Sequence, residues 1–245
     1  IYEIMQNREK ANTKEVIFVV TARGGSKRIP GKNMKILNGK PLLFWTLNAV
    51  NTSFRKPIIY ITTDSPQIAD YCKKMGVNVP FLRPKSLSKD QSTSYSAVEH
   101  LLKWIKKNKS NFPNYVVLLQ PTSPFRTTKT IIKCTTQLLE NNKCDAIVGV
   151  KMKKHSSHSL KFINKNNYLK NFYNGKEIKE VFQPNGSFYG IKTKTLLNKK
   201  TFFPSKTIPY IMNEIESIDI DNNFDWEIAK FFSNALKVNN NAKRK

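Results

Sequence analysis

Apolar residues along this chain alternate between two habits. In short blocks at 16–21, 57–62, 115–119, 145–150 and 187–191 they run nearly unbroken and are rich in Val and Ile. Such runs are those of strands buried on both faces. Between the blocks, at 41–50, 66–75, 92–107 and 127–141, apolar positions recur every three to four residues, the spacing of a helix with one face in a core. Thr127 or Thr128 stands where an N-cap belongs. A last amphipathic helix opens at Asp221-Asn222-Asn223, and its stripe of Phe224, Ile228 and Phe231 is predicted to face the core. Strand and helix in alternation predict an α/β fold with a parallel sheet covered on both faces.

The rhythm breaks at residues 151–185. This stretch is rich in Lys, Asn and Ser, has weak periodicity, and reads as an inserted excursion of extended segments, either a partner contact or lid, or a solvated loop. Residues 1–14 are polar and mixed, an N-terminal extension without the apolar stretch of about 7–15 residues that a signal peptide requires. Residues 237–245 read as a flexible tail. The domain is thus expected at 15–236, and nowhere does an apolar run approach the roughly 20 residues of a membrane span.

Composition then narrows the chemistry. The chain has 245 residues, 39% of them hydrophobic, and a net charge of +25. That charge points toward nucleic acid only at first sight, because the excess is almost all Lys, is spread along the whole chain, and accompanies no nucleic-acid motif. In such a chain each of the seven arginines is informative, and Arg23, Arg28, Arg83 and Arg126 fall in or beside candidate site loops. Arg offers a bidentate fork to phosphate or carboxylate that Lys cannot copy. Acids number only 17, yet Glu214, Glu216, Asp219, Asp221 and Asp225 lie within twelve residues. Cys72, Cys134 and Cys144 lack metal-ligand spacing and read as reduced thiols of a cytoplasmic protein.

The strongest local signal is ARGGSKRIPGKN at 22–33, directly after the first apolar block. It places Gly24, Gly25 and Gly31 within eight positions among Arg23, Ser26, Lys27, Lys32 and Asn33. Gly24 and Gly25 are expected to turn the backbone with positive φ and bring N–H groups close to an anion. A strand followed by a glycine-rich basic loop suits phosphate at the carboxyl edge of a parallel sheet. The glycine spacing is neither that of the P-loop nor that of the dinucleotide fingerprint. Near the other end, Asp219 and Asp221 stand at i and i+2, so on an extended segment their carboxylates share one face. Two carboxylates without His or Cys suit a hard cation such as Mg²⁺.

Seven segments in order carry a family likeness: ARGGSKRIPGKN (22–33), NGKPLLFWTLNA (38–49), TTD (62–64), FLRP (81–84), LLQPTSPFR (118–126), PNGSFYG (184–190) and SIDIDNNFDW (217–226). On these the chain resembles the CMP-acylneuraminate synthetases, cytidylyltransferases that activate sialic acid and related nine-carbon keto acids. The resemblance implies a Rossmann-like, mostly parallel sheet of the nucleotide-diphospho-sugar transferase type, a small dimerisation excursion, and a homodimer. It implies CTP as substrate, held by Arg23, Gly24, Gly25, Ser26, Lys27, Lys32, Asn33, Arg83 and Ser94, with Lys32 acting at the α-phosphate. Asp219 and Asp221 match the metal pair for Mg²⁺. Gln120, Lys161, Gln183, Tyr189, Phe202 and Phe203 match positions around the sugar, with Lys161 reaching a partner subunit; for Phe202 and Phe203 the residues alone favour ordinary core.

Two departures accompany the likeness. The sialic acid enzymes often carry two arginines in the later region, where this chain has Gly175 and Gln183. Ser26 to Pro30 is similar to the pseudaminic acid branch, whereas Gln120 to Pro124 favours the sialic or legionaminic branch. A pseudaminic acid, a shorter keto-deoxy sugar acid, or a nucleotide-binding relative without turnover are the alternatives this leaves.

Overall fold

The computed structural model describes residues 13–89, 91–153, 161–163, 165, 167–171 and 180–242. Its centre is a six-stranded sheet. The first apolar block forms β1 (Val16–Thr21), followed by a small hairpin, β2 (Ile36–Leu37) and β3 (Lys40–Pro41). Helix α1 (Leu42–Ser53) leads to β4 (Ile58–Thr62), α2 (Pro66–Lys74), α3 (Ser94–Asn108), β5 (Tyr115–Leu119), α4 (Thr128–Glu140) and β6 (Ala146–Lys153). Then come β7 (Lys161–Ile163), β8 (Leu169–Asn171), β9 (Val181–Lys192), α5 (Thr193–Lys199), β10 (Thr207–Ile211) and α6 (Asn223–Ala242).

The sheet order is β10-β6-β9-β5-β1-β4. β1 pairs in parallel with both β4 and β5, and β10 with β6, but β9 runs antiparallel to β5 and β6. The sheet is therefore mixed rather than wholly parallel. Its buried strands have the unbroken apolar character of their sequence: Val16, Phe18, Val19 and Val20 are fully enclosed. One core lies between the sheet and α1, α2 and α4; a second lies on the other face beneath α3. Cys72, Cys134 and Cys144 are buried and unpaired, and desolvation raises their thiols, Cys72 to about 12. Among the described residues no helix is long and apolar enough to cross a membrane.

The excursion at 151–185 consists of extended segments where it is described. β6 and β9 continue their pairing outward as far as Lys153 and Val181, and β7 pairs with β8. His155, His158, Gly175, Lys176 and Lys179 lie outside the described residues, as does the side chain of Lys161.

Two expectations are corrected. Phe224 and Phe231 are 74% and 69% exposed, so they are not core. The inward stripe of α6 is instead Trp226, Ala229 and Ser233. Trp226 and Ala229 join Ile29, Leu37, Leu42 and Ile220 in a third apolar cluster. Both stripes have helical spacing; the capping of α6 decides between them. Asp225 N–H donates to Asn222 Oδ1 at 3.0 Å, and Asp225 Oδ2 accepts from the N–H groups of Asp221 and Asn222. This reciprocal cap fixes the helix rotation as it leaves the site. The second correction concerns glycine. Positive φ occurs at Gly31 (61°), not at Gly24 or Gly25. Gly24 is required for space, because a Cβ there would lie 2.9 Å from Ser65 Cβ.

The rotation of α6 makes a stability prediction. Trp226→Ala is expected to lower unfolding free energy by roughly 3–5 kcal/mol, and Phe224→Ser or Phe231→Ser by no more than about 0.5 kcal/mol, in urea denaturation.

Candidate active site

The site lies at the carboxyl ends of β1, β4 and β5, where the parallel strands release their loops. A cavity of about 390 Å³ opens there, lined by Arg23, Ser26, Lys32 and Asn33 from the first loop, Arg83 and Ser94, Gln120, and Asp219 with Asp221. Residues separated by almost the whole chain thus meet in one concavity. Its nucleotide-sized volume and four nearby cations (Arg23, Lys32, Arg83 and Lys89) suit a multiply charged anion.

The first loop is held at both ends. Asn33 Nδ2 donates to Arg23 O at 2.8 Å, closing the loop on itself. Gly24 N–H donates to Asp64 Oδ1 at 2.9 Å, so a carboxylate already occupies this amide. Asp64 belongs to the TTD segment after β4 and shows why an acid is needed there: it anchors the glycine loop. Lys27 is exposed and, with Gly24 and Gly25, stands outside the cavity lining.

The segment before α6 supplies the acids. Ile220 is fully buried in the third cluster, which turns its neighbours Asp219 and Asp221 to the opposite side, into the cavity. Its backbone is pinned on both sides: its N–H donates to Thr122 O at 2.8 Å, and its carbonyl accepts from Lys32 Nζ at 2.6 Å. Lys32 Nζ also stands 3.7 Å from Asp221 Oδ1. Burial lowers the proton affinity of Lys32, against the attraction of Asp221 and Asp219. For Asp219, burial raises it, a hydrogen bond from Thr122 opposes, and repulsion from Asp221 adds to the rise. Asp219 Oδ1 is buried without a hydrogen-bond partner among the described residues. Such an oxygen is costly unless something electropositive meets it. No group of three or more His, Cys, Asp or Glu side chains gathers among the described residues. A hard cation here would take the two carboxylates and complete its shell with water or ligand oxygens.

Helix α3 presents its first turn to the same cavity. Thr93 caps it by accepting from Ser96 N–H at 3.2 Å, and Thr93 and Ser94 line the wall. Arg83 is buried beside them, its Nε donating to Ser88 Oγ at 3.0 Å.

The residues matched to the sugar are placed less uniformly. Gln120 lines the cavity. Its N–H donates to Gly186 O at 3.3 Å, and a Cβ on Gly186 would lie 2.6 Å from its Oε1. Tyr189 lies beside Phe203 and Phe202 in edge-on ring contacts. Phe202 is buried in the second core, while Phe203 is 52% exposed. Gln183, Tyr189, Phe202 and Phe203 do not line the cavity itself.

Arg126 has a role that its sequence context leaves undefined. Its guanidinium is buried and donates to Ser187 O at 2.8 Å, Thr46 Oγ1 at 2.6 Å, and Gln120 O. Burial pulls its pKa down to about 9, opposed by the nearby charge of Asp219, so it stays charged at neutral pH. It ties the β5 loop, β9 and α1 together behind the cavity. The sequence signal was a lone Arg in a Lys-rich chain, which marks importance without marking depth.

The chain matches the cytidylyltransferase family over residues 17–238 and belongs to it. It is therefore a nucleotidyltransferase. It is 35% identical over 228 residues to the CMP-N,N'-diacetyllegionaminic acid synthase of Legionella pneumophila, covering 88% of this chain and 94% of that protein. It is 33% identical over 225 residues to the N-acylneuraminate cytidylyltransferase of Escherichia coli O18:K1:H7, covering 88% of this chain but only 51% of that longer enzyme. Of solved structures, CMP:2-keto-3-deoxy-manno-octonic acid synthetase complexed with CTP is similar in fold, with a TM-score of 0.61 at 14% identity over 89% of this chain and 98% of that one.

The raised pKa of Asp219 gives a signed prediction. Its folded-state pKa exceeds its unfolded one, so its contribution to stability is full at low pH and is lost as pH rises through the folded value. Asp219→Asn should raise the melting temperature of the metal-free protein at pH 7, by about 2–4 °C per kcal/mol relieved, and the gain should vanish as pH falls into the carboxylate range.

Proposed function

We propose that this enzyme transfers the cytidylyl group of CTP to the anomeric hydroxyl of a sialic- or legionaminic-type nine-carbon 2-keto acid, releasing pyrophosphate and forming the CMP-sugar. The observation that carries the reading is the meeting of Lys32, Asp219 and Asp221 in one cavity with Arg23 and Arg83. The named relatives narrow the acceptor class, the Legionella enzyme along nearly its whole length.

In this reading the first loop takes the triphosphate. Arg23, Ser26 and Lys27 meet the outer phosphates, Asn33 keeps the loop closed, and Arg83 with Ser94 receives the base. Gly24 and Gly25 let the backbone pass close by, with the Gly24 amide kept in place by Asp64. Lys32 donates to the oxygen of the α-phosphate, where negative charge grows as the sugar hydroxyl adds and the bond to pyrophosphate lengthens. Its fixed position against Ile220 O means that little reorganisation is needed in the transition state. Asp219 and Asp221 would hold Mg²⁺, and the unpartnered Oδ1 of Asp219 fits that role. Bound there, the ion would neutralise phosphate charge and acidify the attacking hydroxyl. On the acceptor side, Gln120 is presented by Gly186 and Arg126, with Tyr189, Phe203 and Gln183 further out. Phe202 supports Phe203 and Tyr189 from the core.

The same reading makes the protein a homodimer. The β7–β8 hairpin carries Tyr168 and Leu169 at 65% and 68% exposure, apolar surface of the kind a partner subunit covers, and Lys161 lies on that hairpin.

Pyrophosphate release from CTP and Mg²⁺ with N-acetylneuraminate, legionaminate, pseudaminate and a shorter keto-deoxy sugar acid tests the assignment. Turnover is expected with the first two and not with the shorter acid; release with none of them contradicts it. Asp221→Asn should remove most activity while preserving the melting curve. Lys32→Ala should lower kcat by roughly 10²–10³-fold and change CTP binding much less. Equal losses in binding and turnover would make Lys32 a ground-state contact.

A further inference from the structure

Resting on the sugar-acid reading above, we infer that Lys151, with Gln183 beside it, receives the carboxylate of the acceptor next to Asp219. The placement follows from strand geometry. β6 keeps an even register with β10, pairing Val148, Gly149 and Val150 with Pro209, Tyr210 and Ile211. Gly149 and Lys151 therefore project to one face. What that face meets is clear at Gly149, where an added Cβ would stand 2.5 Å from Met212 Cε and 2.9 Å from Asn185 Oδ1. Asn185 Nδ2 in turn donates to Ser217 Oγ at 3.0 Å, two residues before Asp219. Lys151 thus rises on the side of the sheet that carries the acidic segment.

Gln183 is opposite Lys151 in the antiparallel β6–β9 ladder. Directly opposed residues present their side chains on the same face, close enough to act on one ligand. Lys151 is half-buried on that face. No carboxylate among the described residues forms an ion pair with it. Neither Lys151 nor Gln183 lines the cavity of Arg23 and Arg83, whereas Asp219 does. A cation and an amide consequently stand together outside the nucleotide cavity, on the side of the sheet that carries the acidic segment.

The chemistry of a 2-keto sugar acid fits that position. Its carboxylate is attached directly to the anomeric carbon, so an acceptor whose anomeric hydroxyl reaches the Asp219 end brings its carboxylate to the same place. An ammonium and a primary amide supply donors to both carboxylate oxygens, and the ammonium makes the stronger, charge-assisted bond.

The test compares wild type, Lys151→Met and Lys151→Arg in pyrophosphate release, using N-acetylneuraminate, legionaminate and the carboxamide of each. The expected result is a rise in acceptor KM of roughly tenfold to a hundredfold for Lys151→Met, with CTP KM unchanged and the preference for acid over amide lost. Lys151→Arg should keep that preference. A Lys151→Met enzyme with wild-type acceptor KM and preference, or one that weakens CTP and acceptor alike, overturns the assignment while leaving the sugar-acid reading intact. Wild-type protein that turns over neither acid overturns that reading, and the assignment of Lys151 with it.

Discussion

The structure of the site depends on the two-sided fixation of Ile220. Its side chain is enclosed among Ile29, Leu37, Leu42 and Trp226, and its backbone is tied to Thr122 and to Lys32. An extended backbone with one residue driven into a core must present the residues on either side to the opposite face. Asp219 and Asp221 are cavity residues because Ile220 is a core residue. The same contact positions Lys32, since its ammonium is bonded to the carbonyl that lies between the two acids. The cation and the acid pair are therefore set by one local packing event, across 188 residues of sequence.

Holding charged groups in that position carries a cost that the fold has not removed. Asp219 keeps an oxygen without a partner among the described residues, and both Asp219 and Lys32 are shifted toward their neutral forms by burial. Residues kept at the expense of stability are characteristic of sites that complete themselves with ligand. Arg126 is the contrasting case: it is buried more deeply than either, but three acceptors receive its guanidinium. It spans the β5 loop, β9 and α1, so the wall that carries Gln120 is built on a fully bonded charge, whereas the reactive edge holds an acid with one unpartnered oxygen among the described residues.

Much of this was legible in the sequence. The unbroken apolar blocks became β1, β4, β5, β6 and the inner part of β9, and the loop after β1 reached the cavity with Arg23, Ser26, Lys32 and Asn33. The i, i+2 spacing of Asp219 and Asp221 carried over directly, because alternation is a property of the backbone alone. Other features depend on information that local pattern does not contain. The antiparallel direction of β9 cannot be read from its apolar run, since both directions bury the same residues. β10 escaped notice because an edge strand with Pro209 and half-exposed neighbours shows little alternation. Phe224, Ile228 and Phe231 share the helical period of the true inward stripe, and only the Asn222–Asp225 cap, seated on the Ile220 segment, selects Trp226 instead. Gly24 was recognisable as necessary but not for its reason, which is the proximity of Ser65 after a different strand.

The central claim is that the paired carboxylates flanking Ile220 form the cation-binding edge of a nucleotide cavity. A crystal structure with CTP and Mn²⁺, whose anomalous scattering locates the ion independently of the rest of the density, tests it most directly. The account predicts an anomalous peak within coordinating distance of both Asp219 and Asp221, with the phosphates in the cavity beside Lys32. Nucleotide bound there with the ion elsewhere, or nucleotide bound outside this cavity, would contradict it.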